Sequence, residues 1–316
     1  MKGYHSSVLL KEAIDVLIPI RSKEDGLALT DQENWYLDCT LGDGGHTVGI
    51  LKRGGRVLGI DVDPQALHRV QNRLADLGIE DDRFRLIQGN FRDLKNLILQ
   101  MDPSTTLGAN QKYAGAIFDL GVSSLQLESP QRGFSFTHEG PLDMRMDPTL
   151  AVRALDLIKV LSRKELYELF SNLGEEKFAW TLAKAVVSAR EIGKVTGIKT
   201  TRDLAELIER VVGGTRGSIH PATRVFQALR IAVNDELDAL KEGLDQVKDL
   251  IKNHGSILVI SFHSLEDRIV KTTFRKWKSE GLGQILSKKP ITPSEDEISS
   301  NPRARSAKIR VFRYDY

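Results

Sequence analysis

Hydrophobic positions in the first 120 residues alternate between short apolar runs and longer amphipathic segments. Four apolar runs have the length and composition of buried strands, and the segments between them carry apolar residues at helical spacing. Strands that alternate with helices predict an α/β fold with a parallel sheet. The predicted strands are Trp35–Thr40, Gly55–Ile60, Phe84–Gln88 and Ala114–Phe118, and the helices after the first two are His46–Arg53 and Pro64–Leu77.

This alternation stops after the fourth strand and resumes near the C-terminus. From Ala151 to about Val212 every periodic segment is helical, and the next predicted strands are Ser256–Ser261 and Lys308–Arg313. We therefore predict a discontinuous α/β domain, residues 1–128 and 221–316, with a helical domain inserted at residues 129–220. The stretch Gly281–Arg305 is predicted to be a long polar loop.

Composition narrows the class of protein only slightly. The single cysteine, Cys39, excludes an internal disulfide and favours a reducing cytoplasm, and neither a signal peptide nor a membrane-spanning stretch is evident. The net charge is +2, yet residues 268–316 alone hold 12 Lys/Arg against 5 Asp/Glu. This basic segment suits a polyanionic partner, although a solvated tail would have the same composition.

A glycine-rich turn follows the first predicted strand, with the sequence Gly42-Asp43-Gly44-Gly45-His46. Glycines let the backbone approach a ligand closely, as in dinucleotide-binding folds. The G-x-G-x-x-G spacing that admits a pyrophosphate is absent here. Asp38, just before the turn, instead suits a cofactor that carries a cation, such as the methionine part of S-adenosylmethionine. A plain loop remains the alternative.

Two further strand ends carry residues that suit the rest of such a cofactor. Asp61 follows the second strand, where a carboxylate can accept both ribose hydroxyls, and we assign the cap of the next helix to Asp63 instead. Phe91 follows the third strand, where it would pack on adenine or belong to the core. Because these strand ends meet at one edge of a parallel sheet, we expect a single crevice.

The fourth strand ends in Asp119, at the position that holds the acceptor nitrogen in amino-group methyltransferases. Several long and unusual motifs accompany it: Asp119–Gln126, Arg132–Phe136, Gly140–Asp147, His220–Arg224, Phe226–Arg230, Ser261–Arg268 and Asn301–Ser306. Through these motifs the chain resembles, over nearly its whole length, the 16S ribosomal RNA (cytosine-N4) methyltransferase H family, also called MraW. It departs from the family at Ser7, where proline is usual, and in a long stretch at Ser22–Asn34, both outside the cofactor loops in sequence.

The resemblance implies a class I S-adenosylmethionine-dependent methyltransferase, with a Rossmann-like fold and an inserted helical domain for substrate recognition. It implies methylation of N4 of a cytidine in the decoding region (P site) of 16S rRNA within the small ribosomal subunit, with S-adenosyl-L-methionine as cofactor and no metal or membrane. Whether the chain forms a homodimer is left open. Carried over by motif, the cofactor-binding residues are Gly44, Gly45, His46, Asp61, Phe91, Asp119 and Gln126.

Asp119 is the candidate catalytic residue, because an acceptor that faces the amine protons would orient a weakly nucleophilic nitrogen. A role limited to cofactor binding is the alternative. Phe134 and Phe136 would stack on a splayed-out base or form a core between domains. His263 would contact RNA or have only a structural role. The basic residues expected to hold phosphates are Arg268, Lys271, Arg275, Lys276, Lys278, Arg303, Arg305, Lys308 and Arg310.

Two other classes of protein are the alternatives to this assignment. A nicotinamide-dependent dehydrogenase would need a third glycine in the phosphate loop and a hydride-transfer site. A noncatalytic RNA-binding or assembly factor would keep the fold without the chemistry. The intact glycine turn together with Asp61 and Asp119 favours an enzyme.

Overall fold

The computed structural model describes residue 4 and residues 6–19, 34–100, 112–192, 197–214 and 220–315. All but the last residue of the long stretch Ser22–Asn34 lies outside this part. The described residues divide into two compact units, one of residues 1–121 with 237–316 and the other of residues 122–236. Among the described residues, no helix combines the length and the apolar character needed to cross a membrane.

The first unit is built on a seven-stranded sheet in the order β3-β2-β1-β4-β5-β7-β6. Strands β1 to β5 pair in parallel, and β7 runs antiparallel to both of its neighbours. The α/β prediction is confirmed. The strands are β1 Trp35–Asp38, β2 Arg56–Asp61, β3 Phe84–Gln88, β4 Tyr113–Asp119, β5 Ile251–Ser261, β6 Gly283–Ile285 and β7 Lys308–Tyr314.

Helices cover the sheet of the first unit and make up most of the second. In chain order they are α1 Leu10–Leu17, α2 Gly45–Lys52, α3 Pro64–Asp76, α4 Leu94–Leu99, α5 Ser124–Glu128, α6 Ala154–Val160, α7 Arg163–Asn172, α8 Ala179–Ile192, α9 Thr201–Val212, α10 Ala222–Asn234, α11 Glu236–Val247, α12 Ser264–Ser279 and α13 Glu295–Ser300. Helices α5 to α10 belong to the second unit.

Alternation along the strands explains why the sheet is buried on both faces. In β1, Trp35 and Leu37 pack into one hydrophobic cluster, whereas Tyr36 packs into another. Because successive side chains of a strand point to opposite faces, two clusters on alternating residues require helices on both sides. This arrangement leaves the ends of the strands as the place where polar side chains are exposed.

The observed units differ from the predicted domain boundaries. The predicted insertion, residues 129–220, lies wholly within the second unit, which begins at Val122 and ends at Glu236. The difference arises mainly from α10, whose Val225, Phe226 and Leu229 are buried in the hydrophobic cluster of the helical unit. Hydrophobic periodicity along a helix does not indicate which core its apolar face joins.

The stretch Gly281–Arg305 is not the loop that was predicted. Strand β6 pairs there with β7, and α13 begins at a Ser294 cap whose hydroxyl accepts the Glu297 N–H at 3.2 Å. A three-residue edge strand and a six-residue helix are too short to produce a clear hydrophobic period. Their polar composition is therefore the same as that of a loop.

Candidate active site

Asp38, at the end of β1, holds the glycine turn in place. Its carboxylate accepts the Thr47 hydroxyl proton at 2.6 Å and the Thr40 N–H at 3.3 Å. Burial raises the pKa of Asp38, and these hydrogen bonds act in the opposite direction. The side chain is only 1% exposed. The expectation that Asp38 faces the cationic part of a cofactor is therefore corrected, since it binds α2 instead.

The turn itself requires glycine at two neighbouring positions. Gly44 caps α2 with a φ of 71°, and a Cβ there would lie 2.8 Å from a methyl of Val70. A Cβ on Gly45 would collide with the hydroxyl of Ser7. Ser7 was placed outside the cofactor loops by sequence, yet it packs directly on this one. The backbone of the turn is thus closely surrounded by its own protein.

Asp61, at the end of β2, faces the same turn. One carboxylate oxygen accepts the Gly42 N–H at 2.8 Å and the other accepts the Asp63 N–H at 2.9 Å. Burial raises the pKa of Asp61 to about 6, although both backbone hydrogen bonds lower it. Each oxygen keeps a further lone pair, so the carboxylate can still accept a pair of hydroxyl groups.

The cap assigned to Asp63 is confirmed. Its carboxylate accepts the Gln65 N–H at 3.0 Å, with Pro64 as the first residue of α3. Asp61 is therefore not needed as the helix cap, as expected. Its carboxylate nonetheless has a structural role, because it accepts one N–H from the glycine turn and one from Asp63.

Phe91 lies close to this edge through the end of β3. The Gly89 N–H donates to the Asp61 carbonyl oxygen at 2.9 Å, which joins the second and third strand ends. The Phe91 ring meets Phe118 edge-on at 5.5 Å and remains only half-buried. Phe91 therefore packs partly into the core, as one of the two expectations held. Its partial exposure is compatible with a ring face that stacks on a planar group.

Asp119, at the end of β4, is paired with His46 at the start of α2. Nε2 of His46 lies 3.3 Å from Oδ2 of Asp119, and Thr40 Oγ1 accepts the Asp119 N–H at 2.6 Å. Oδ1 of Asp119 and Nδ1 of His46 are buried and have no hydrogen-bond partner in the described part of the chain. Buried polar atoms without partners are uncommon, so both atoms are candidates to bind a ligand.

The charge of this pair follows from its surroundings. Burial lowers the pKa of His46, but the hydrogen bond and charge of Asp119, together with the charge of Asp38, raise it on balance. An imidazolium is favoured between two carboxylates because opposite charges stabilise the protonated form. The pair was not predicted from sequence, because the two residues are 73 positions apart and nothing local links them.

Gln126 is the one candidate cofactor-binding residue that lies in the helical unit. Its side-chain oxygen accepts the Ser123 N–H at 3.0 Å, and the Ser123 hydroxyl accepts the Gln126 N–H at 3.3 Å. This reciprocal pair caps α5. The structure thus brings together Gly44, Gly45, His46, Asp61 and Asp119, adds Phe91 through the third strand end, and shows Gln126 as a helix-capping residue.

Two other candidates have structural roles. His263 caps α12, with Nδ1 accepting the Glu266 N–H at 3.4 Å and Nε2 at 3.2 Å from a Glu266 carboxylate oxygen. Phe134 is buried in the core of the helical unit. Phe136 stacks on His220 with ring centroids 4.4 Å apart and is half-buried.

The basic C-terminal segment is only partly available to a polyanion. Arg310 donates to both oxygens of Asp267, at 2.6 and 3.2 Å, and Lys308 lies 3.9 Å from the same carboxylate. The expectation that Arg310 holds phosphate is therefore corrected. In α12, by contrast, the side chains that share one exposed face at helical spacing are Arg268, Lys271, Arg275 and Lys278.

The sequence model of the MraW methylase family matches residues 2–315. The protein "Ribosomal RNA small subunit methyltransferase H" of Coprothermobacter proteolyticus is 43% identical over 312 residues, which covers 98% of this chain and 95% of that one. Its counterpart in Carboxydothermus hydrogenoformans is 42% identical over 328 residues, 98% of each chain. That of Persephonella marina is 45% identical over 282 residues, 88% of this chain and 91% of that one.

Proposed function

Because the chain belongs to the MraW methylase family, we propose that it methylates N4 of a cytidine in the decoding region of 16S rRNA. The fold of the first unit is that of class I S-adenosylmethionine-dependent methyltransferases. The proposed substrate is rRNA within the small ribosomal subunit, so we propose a cytoplasmic localisation. A nicotinamide-dependent dehydrogenase is no longer a candidate.

The cofactor assignment rests on the fit between the strand ends and S-adenosylmethionine. We assign the ribose hydroxyls to Asp61 and one face of adenine to Phe91. Gly44 and Gly45 let the turn approach the methionine part, and we keep Gln126 among the cofactor-binding residues as a prediction from the motif. When bound, the cofactor supplies a methyl group on a sulfonium, a leaving group that is already activated.

The observation that best supports catalysis is the half-satisfied carboxylate of Asp119. Oδ2 is held by His46, whereas Oδ1 is buried without a partner among the described residues. A cytosine amine is a weak nucleophile because its lone pair is delocalised into the ring. An acceptor facing its N–H would orient the nitrogen and localise that lone pair.

In this proposal Asp119 acts on the substrate and His46 orients Asp119. Nε2–H of His46 donates to Oδ2, which fixes the rotamer and leaves Oδ1 to accept an N4–H. A methylated N4 must lose one proton, and Oδ1 of Asp119 is the atom that would accept it. We assign substrate recognition to the helical unit, which supplies most of the remaining family motifs.

The test is methyl transfer to small subunits isolated from a strain that lacks the modification, with nucleosides analysed by mass spectrometry. The wild-type chain should restore N4-methylcytidine, whereas Asp119→Ala should not. Titration of Asp119→Ala with S-adenosylmethionine is the control, and its affinity should stay within a few-fold. Methylation at another nucleoside, or none by the wild-type chain, would contradict the proposed function. A loss limited to cofactor affinity would remove Asp119 from the chemistry.

A further inference from the structure

Exposed hydrophobic side chains are concentrated in one stretch of the helical unit. Five of the eight large hydrophobic residues that are exposed in the described part of the chain lie between residues 152 and 180. The three aromatic ones are Tyr167, Phe178 and Trp180, at 38%, 46% and 49% exposure. Single exposed apolar residues need no explanation, but a local excess of aromatic rings marks an interaction surface.

Two of these rings form an ordered pair. Tyr167 of α7 meets Trp180 of α8 edge-on, with centroids 5.4 Å apart, and the guanidinium of Arg163 lies 4.6 Å from the centre of the Trp180 ring. The helices bury their other sides, through residues such as Phe170 and Val186. The rings are therefore held in place on the outer face without belonging to the core.

Cations border the ring pair along both helices. Arg163 and Tyr167 are one turn apart in α7, as are Trp180 and Lys184 in α8, and all four are exposed. We call Arg163, Tyr167, Trp180 and Lys184 the aromatic patch.

Nearby acids are engaged locally rather than on the patch. Glu165 accepts the Ser162 N–H at 2.7 Å and Glu176 accepts the Phe178 N–H at 2.8 Å, while Glu168 lies 3.9 Å from Lys164. These acids therefore do not neutralise Lys184 or Arg163, whose guanidinium lies against Trp180, and both positive charges can attract a partner of opposite charge.

We propose that the aromatic patch binds single-stranded RNA, with an unpaired base stacked on Trp180 and its neighbouring phosphates held by Arg163 and Lys184. Flat aromatic faces combined with arginine and lysine are the chemistry by which proteins bind unpaired nucleotides. This inference rests on the proposed function, since it takes the substrate to be RNA. It adds a binding surface in the helical unit that none of the family motifs named above contains.

Tryptophan fluorescence can test the proposal in the full chain. The sequence holds three tryptophans, and Trp35 and Trp277 are buried at 5% and 2% exposure, so quenching by a large ligand reports on Trp180. A short oligouridylate should quench the emission. The same strand annealed to oligoadenylate should quench much less, because its bases are already stacked. Equal quenching by duplex and single strand would overturn the proposal.

Substitution gives the second measurement, with Phe178 as the matched control. Phe178 is about as exposed as Trp180 and lies two residues before it, just ahead of α8, but forms no part of the ring pair. Trp180→Ala should weaken binding of unmethylated small subunits about 5- to 150-fold, and Trp180→Phe should recover much of it. Phe178→Ala should change nothing beyond error. Cofactor affinity and turnover at saturating subunit should be unaltered in all three variants.

The outcomes separate this inference from the proposed function. If Trp180→Ala binds subunits as Phe178→Ala does while the wild-type chain methylates them, the patch does not bind RNA and the enzyme assignment stands. If Trp180→Ala loses affinity for a ribosomal protein but not for oligouridylate, the patch is a protein-docking surface and the proposal is wrong. If the wild-type chain methylates no subunit, the proposed function itself has failed.

Discussion

The protonation of Asp61 should control cofactor affinity near pH 6. Burial raises the pKa of this carboxyl to about 6, from an ordinary value of 3.8. Ribose hydroxyls donate hydrogen bonds, so they require the ionised form. Because cofactor binding favours that form, it lowers the pKa of Asp61 and releases a proton at acidic pH. Affinity should be constant above pH 7 and fall as the pH decreases through 6.

The size of the effect follows from the same pKa. At pH 5 only about one carboxyl in eleven remains ionised, so affinity should be about tenfold lower than at pH 7.5. Asp61→Asn keeps the size of the side chain but removes the charge. Loss of charge-assisted hydrogen bonds costs about 1.5–3 kcal/mol, which corresponds to about 10- to 150-fold weaker binding at neutral pH.

Isothermal titration with S-adenosylmethionine from pH 5 to 8 measures both quantities. Wild-type titrations in two buffers of different ionisation enthalpy should reveal the released proton. His46 also has a raised pKa, so the slope that persists in Asp61→Asn reports on His46, and the slope that disappears reports on Asp61. A wild-type affinity that is flat between pH 7.5 and 5 would refute the ribose assignment, as would an Asp61→Asn variant that binds normally.

Three further predictions concern catalysis, the glycine turn and RNA binding. Asp119→Asn should lower turnover by about 10²- to 10⁴-fold, because the amide can still accept a hydrogen bond but cannot take a proton. Cofactor affinity should stay within a few-fold. A near-normal single-turnover rate would show that Asp119 only orients the substrate. Gly45→Ala should lower the free energy of unfolding in urea by about 1–3 kcal/mol, because the new methyl collides with Ser7. Adding Ser7→Gly should recover part of this loss. Equal stability of the single and double variants would contradict the contact. Replacement of Lys271, Arg275 and Lys278 by Ala should flatten the salt dependence of subunit binding by about 2 logarithmic units per decade of salt, with unchanged cofactor affinity; an unchanged slope would exclude this face of α12 from phosphate binding.

Sequence reasoning succeeded where one local pattern determines the structure. The first four parallel strands and the cap at Asp63 follow from apolar runs, glycine and proline at fixed offsets. The convergence of strand ends follows from the geometry of a parallel sheet, which is why Asp61 and the glycine turn were correctly expected to meet.

Apart from the short elements within Gly281–Arg305, the main errors and omissions involve contacts between distant segments. The His46–Asp119 pair, the Ser7–Gly45 contact and the Arg310–Asp267 ion pair join residues 38 to 73 positions apart. Hydrophobic periodicity carries no information on which side chain lies opposite. Periodicity likewise does not show which unit α10 packs in, since its apolar face would suit either core.

Asp38, Asp61 and Asp119 show what decides the role of an acid at a strand end. All three end parallel strands of one sheet, so their position in the fold does not distinguish their roles. Asp38 has a donor on each oxygen, one of them the Thr47 hydroxyl, and is 1% exposed, so it serves the fold.

Asp61 and Asp119 are less buried than Asp38, and Asp119 also has fewer protein donors. Asp61 accepts one backbone N–H on each oxygen and keeps lone pairs for neutral hydroxyl donors. Asp119 has one oxygen against His46 and one buried oxygen with no donor among the described residues, so that oxygen is open to a donor from a bound molecule. Donor number separates Asp119, with one protein donor, from Asp38 and Asp61, with two each. Burial separates Asp38, at 1% exposure, from the half-buried Asp61. This comparison supports the proposed structural, cofactor-binding and catalytic roles. It also predicts that Asp38→Asn will reduce stability more than Asp119→Asn, a comparison that urea unfolding can make directly.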